Sequence, residues 1–194
     1  MRKTPVILGV LSMVFGGLVG MWSAFGLLTQ SFVKDWTKTM GSMMALQPHK
    51  EGAPDPAAMF ASMATVVERL KPYTYAVSGG MFVFSMALAA IGFGLYRRQA
   101  WARPASLLWA AAALLFLPFQ IYVQVGIVQP AMHEAMMASL ANAKFPTELM
   151  DTMVGAQRMV AIIGQVVFYA PFPVILLALM GRSSARNDLL STSA

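Results

Sequence analysis

Met132, His133 and Met136 place two thioethers and an imidazole within five residues. Residues four apart share one face of a helix, so Met132 and Met136 stack two thioethers on one side, with the His133 imidazole nearby. Soft thioethers beside an imidazole suit Cu(I). Met40, Met43, Met44 and His49 repeat the combination in the first half of the chain. These seven residues are the metal-ligating candidates, and Cu(I) is the single cofactor they point to. The expectation without them is no cofactor. A plainer reading competes. The chain holds 17 methionines, and those outside the apolar runs fall on the same stripes as Phe32, Trp36, Phe60 and Leu70. Such stripes pack against another surface or face a membrane. Methionine also makes a pliable surface for apolar partners.

A second set is amidic and phenolic. Gln120, Gln124, Gln165 and Tyr169 interrupt long apolar stretches. Gln120 and Gln124 are four apart and are expected on one helix face. Interhelical hydrogen bonding accounts for them, each bond contributing about 0.6–2 kcal/mol in a membrane. The alternative is the lining of a pocket or path for a small neutral or apolar molecule, opened by kinks at Pro118, Pro171 and Pro173.

The third set is cationic. Arg97, Arg98 and Arg103 lie close together at the middle of the chain, with Trp101 among them. They can hold anionic lipid head groups at about 1 kcal/mol per basic residue, with Trp101 as an interfacial anchor. They also account for a cytoplasmic turn with no ligand at all.

Other chemistry is excluded by what is missing. There is no cysteine, hence no disulfide, thiolate metal site or cysteine nucleophile. The apolar runs carry no Asp, Glu, His, Lys or Arg, which argues against proton-coupled transporters, ion pumps and voltage sensors. No G-x-S-x-G or H-E-x-x-H pattern occurs, and both histidines lie outside the apolar runs. No enzyme activity is expected. The basic residues cluster at the ends of apolar runs instead of forming one face, so no nucleic-acid partner is expected despite a net charge of +6.

The elements that must position these residues are membrane spans. Of 194 residues, 58% are hydrophobic and 11% charged, with a mean hydropathy of +0.63. A soluble domain usually carries about a quarter charged residues. Residues 5–28 are free of charge and long enough to cross a hydrocarbon core about 30 Å thick. They exceed a usual signal-peptide core, so a retained span is expected. Further spans are predicted at 76–96, 105–128 and 159–180. Gly16 and Gly20 in the first span, and Gly79, Gly80, Ser85, Ala89, Gly92 and Gly94 in the second, offer small surfaces for close helix packing. Residues 29–75 and 129–158 form the outer loops. In the first, an amphipathic helix carries Phe32, Trp36, Met40 and Met43, a break follows at Gln47 to Pro54, and Pro56 starts a second helix that Lys71-Pro72 interrupts. In the second, Gln129-Pro130 ends a span, 131–144 is helical, and a helix restarted near Thr147 runs into the fourth span.

Lysine and arginine are several-fold denser in the termini and the central turn than in the outer loops. The positive-inside rule then puts both termini in the cytoplasm. The expected location is a plasma membrane (the inner membrane, in a bacterium). The expected fold class is an all-α integral membrane protein, a four-transmembrane-helix bundle (N-in, C-in) with extracytoplasmic amphipathic helices in both outer loops. It forms one membrane domain over 1–194, with a weak parallel repeat relating 1–98 to 99–182. This loop order is common to many four-span proteins and carries no function by itself. The reading that follows is a non-enzymatic scaffold, assembly factor or accessory subunit. Its partners are the lipid bilayer and another membrane protein or a second copy of the chain. A carrier or channel for a small neutral or apolar molecule, and a Met-rich Cu(I) protein, are the alternatives.

Overall fold

The computed structural model describes residues 4–44, 56–140 and 147–181. Every regular element among them is helical: α1 (Thr4–Met44), α2 (Pro56–Tyr96), α3 (Ala102–Ile121), a π-helical segment (Tyr122–Val128), α4 (Gln129–Leu140), α5 (Thr147–Tyr169) and α6 (Pro171–Met180). Four helical stretches are long and apolar enough to cross a membrane: Thr4–Gln30, Phe60–Tyr96, Ala102–Ala138 and Val154–Met180. A spanning backbone must satisfy its own polar groups, and a helix does so within one segment.

Three expected boundaries are absent. The cap helix predicted after residue 28 is not separate, since α1 runs unbroken for 41 residues. Nothing between Leu28 and Met44 breaks it, and the hydroxyl of Thr37 donates back to the Val33 carbonyl at 2.8 Å instead of capping a new helix. Pro72 does not interrupt α2, which also runs for 41 residues. The proline costs the Glu68 carbonyl its usual partner. Two residues on, the Thr74 hydroxyl donates back to the Lys71 carbonyl at 3.0 Å within the continuing helix. Nor does Gln129-Pro130 end a helix. Gln129 keeps helical angles (φ −63°, ψ −44°) and α4 continues from it. The break expected at Gln47 to Pro54 lies outside the described residues, and three other boundaries agree with expectation. Pro56 opens α2, α5 begins at Thr147, and the helix is interrupted at Ala170 before Pro171.

The chain forms two compact units, one of Met1–Phe25, Ser78–Gln120 and Gln165–Ala194, the other of Gly26–Val77 and Ile121–Gly164. The first is a bundle with its core at Leu8, Leu88, Leu95, Ala110, Leu176 and Met180. Its α1 and α2 portions run antiparallel in very close contact. A Cβ on Gly92 would lie 2.7 Å from the Gly9 carbonyl oxygen, and one on Gly16 would lie 2.8 Å from that of Ser85. Only glycine permits this approach. Aromatic rings fill the rest. Phe15 stacks on Phe172 at 4.7 Å, Phe172 meets Trp109 edge-on at 6.5 Å, and Trp109 meets Phe84 at 6.4 Å. Each such pair contributes about 0.5–1.5 kcal/mol beyond burial. In the second unit, Trp36 of α1 meets Phe60 of α2 edge-on at 6.5 Å, and Leu70, Val123 and Ala135 are buried.

Candidate functional site

The turn between α2 and α3 separates the three arginines into different roles. Gln99 N–H donates to the Gly94 carbonyl at 2.9 Å and Arg98 N–H to the Leu95 carbonyl at 3.0 Å. These are the two bonds of a Schellman ending, with Arg98 in the left-handed position at φ 55°. Glycine usually occupies that position, because a Cβ there is unfavourable. Arg97 lies over the Phe93 ring, 4.4 Å from its centroid. Arg103 turns to the end of α6, where its Nε donates to the Met180 carbonyl at 3.1 Å. Trp101 donates from Nε1 to Gln99 Oε1 at 2.7 Å, and its ring occupies the space that a side chain on Gly94 would fill. The turn is thus held by its own contacts, and one of its cations already serves a helix terminus.

The amide and phenol set does not form one pocket. Gln120 and Tyr169 share the wall of a cavity in the first unit, with Phe84, Trp109, Phe116 and Pro173. Its volume is about 40 Å³. That is space for water, far below the roughly 300 Å³ at which ligand pockets begin. Gln124 is instead in the wall of a cavity in the second unit. A π-helical segment begins at Tyr122, and at its end Gln129 N–H donates to the Gln124 carbonyl, five residues back. Gln165 belongs to neither wall, and its Oε1 is buried without a hydrogen-bond partner.

The metal-ligating candidates also separate. Met132, His133 and Met136 of α4 line the cavity that contains Gln124, with a volume of about 290 Å³. Gln129 of α4 and Gln157 of α5 complete its polar wall. Met40, Met43 and Met44 are on the last turns of α1 and are not in that wall. His49 lies outside the described residues.

One arrangement had no counterpart in the sequence reading. Arg69 and Tyr73 of α2 and Glu134 of α4 line a further cavity of about 230 Å³ in the second unit. No local pattern announces it, because its two charged residues come from different outer loops. The Trp109 Nε1–H bond to the Phe84 carbonyl, at 2.8 Å, was also unforeseen. A tryptophan in mid-span was its one signal, since a buried indole N–H requires an acceptor.

No protein-family model matches the chain, and no curated protein or solved structure matches it significantly.

Proposed function

We propose that this chain is a non-enzymatic, multi-pass membrane protein that serves as a scaffold, assembly factor or accessory subunit. It binds another membrane protein along its first helix. The observation that carries this reading is the length of the outward apolar stripe on α1. Ile7, Leu11, Val14, Leu18, Met21, Phe25, Leu28 and Phe32 alternate at four- and three-residue steps, and all are exposed. Trp36 and Met43 extend the stripe. From Ile7 to Met43 it covers about 54 Å at 1.5 Å per residue. A hydrocarbon core is about 30 Å thick.

Lipid tails therefore cover only part of the stripe. Lys34, Asp35 and Lys38 mark the far end as the part outside the hydrocarbon. There Phe32 is 66%, Trp36 46% and Met43 58% exposed. Aromatic and methionine side chains left uncovered beyond the tails suit a protein partner. The water-sized space beside Gln120 and Tyr169 gives a carrier no path there. Lysine and arginine density supports cytoplasmic termini, with the α1 extension on the opposite side of a plasma membrane.

The test is photo-crosslinking in native membranes from positions 32, 36 and 43, followed by purification in mild detergent. A discrete adduct is expected, and with the crosslinker at any one of these positions it should be lost when the other two residues are changed to serine. A monomeric protein with no adduct from any of the three positions overturns the reading. Orientation is read separately. The absence of cysteine makes single-cysteine variants at Gly52 and Ser191 clean probes. Labelling of position 191 from the outside refutes the topology.

A further inference from the structure

We propose that Met132, His133 and Met136 form a binding site for a soft monovalent cation, Cu(I) or its analogue Ag(I), in the cavity beside α4. The site is independent of the partner reading above and of membrane orientation.

Three observations converge. The first is the helix register. Met132 and Met136 are one turn apart, and His133 is three residues before Met136, so all three leave α4 within an arc of about 100°. The structure bears this out, because all three line the same cavity of about 290 Å³. The second is donor type. Two thioethers and one imidazole make a neutral, soft donor set, which suits Cu(I) over hard divalent ions. The remaining polar groups of the wall, Gln124, Gln129 and Gln157, are neutral amides. No carboxylate lines it, so Mg²⁺ and Ca²⁺ find no charged oxygen ligand. Among the described residues, no group of three or more His, Cys, Asp or Glu could hold a metal. A zinc-type ligand set is therefore absent there, whereas the thioether set is present.

The third is flexibility. A bare ion is far smaller than the cavity, so the donors must move inward. Methionine has three rotatable bonds and a polarizable sulfur, which makes that convergence cheap. Gln129 Oε1 is buried without a hydrogen-bond partner, and Gln129 stands in the same wall. It can accept from a water carried in with the ion.

The test uses the full chain in lipid nanodiscs. Ag(I) is titrated by calorimetry, and Cu(I) is titrated against a chromophoric chelator under reducing conditions. One ion per chain is expected. The double variant Met132→Leu/Met136→Leu keeps side-chain volume and should weaken binding about tenfold or more. The triple variant Met40→Leu/Met43→Leu/Met44→Leu should bind as the wild type does. With methyl-labelled methionine, Ag(I) should shift the Met132 and Met136 resonances above all others. Far-ultraviolet dichroism checks that each variant is folded. The proposal is overturned by absence of Ag(I) binding at tens of micromolar. It is also overturned if folded Met132→Leu/Met136→Leu binds with unchanged affinity, or if the α1 triple variant loses binding equally.

Discussion

Arg103 Nε donates to the Met180 carbonyl at 3.1 Å, joining the first turn of α3 to the last turn of α6 across 77 residues. The last carbonyls of a helix have no partner within it, and a cation there also meets the negative end of the helix dipole. A hydrogen bond to a charged group contributes about 1.5–3 kcal/mol. Arg103 is half-buried, so Arg103→Gln should cost about 1–2 kcal/mol, toward the lower end of that range. Unfolding in mixed micelles of rising SDS fraction measures it. A variant as stable as wild type shows that water replaces the guanidinium without loss.

Two glycines of α1 should respond in opposite directions. A Cβ on Gly9 would meet the Tyr96 backbone nitrogen at 2.6 Å and the Gly92 carbonyl oxygen at 2.7 Å. Backbone cannot rotate aside, so Gly9→Ala forces α1 and α2 apart at a cost of about 1–3 kcal/mol. Gly17 has nothing within 4 Å of its Cβ position. Gly17→Ala should be neutral or up to about 1 kcal/mol stabilising, through helix propensity alone. Equal effects of the two substitutions, by the same unfolding assay, contradict the packing described.

At the central turn, Arg98→Gly and Arg98→Ala remove the same charge but differ in backbone freedom. With φ at 55°, glycine should be more stable than alanine by about 1 kcal/mol. If the two are indistinguishable, the left-handed ending of α2 is not populated in the membrane.

Trp109 is the hub of the aromatic core. Trp109→Phe keeps most of the ring area and removes the donor to the Phe84 carbonyl, 2.8 Å away. The expected cost is about 1 kcal/mol. Trp109→Ala also opens a cavity among Phe84 and Phe172, for a cost of about 3–5 kcal/mol. Tryptophan fluorescence is a poor reporter here, because the chain holds four tryptophans. Thermal unfolding followed by dichroism separates the variants.

Much of the architecture was legible from local pattern. Charge-free runs predicted four spanning stretches, and the four helical stretches found agree with them in position, though they are longer. Pro56 and Pro171 marked real helix starts. Pro72 and Pro130 were expected to interrupt or end a helix and do not: α2 runs through Pro72, and at Gln129 the helix changes from π to α but continues through Pro130. The small residues of the first two spans pointed to close packing, but their partner was not readable. That Gly9 meets Gly92 depends on the relative register of helices 83 residues apart in sequence. The metal candidates were legible as residue types and not as a set.

By itself, then, the sequence determined the helical class, the number of apolar stretches and the uneven placement of charge. These follow from the cost of exposing backbone and charge to hydrocarbon, residue by residue. The tertiary structure decided which candidates share a wall. It put Met132, His133 and Met136 in one wall and left Met40, Met43 and Met44 out of it, and it placed Gln120 and Gln124 in the walls of different cavities. Hydropathy and periodicity are properties of one segment. Spacing along α4 puts Met132, His133 and Met136 on one arc, but that Gln157 of α5 completes their wall depends on packing between helices, which no single segment encodes.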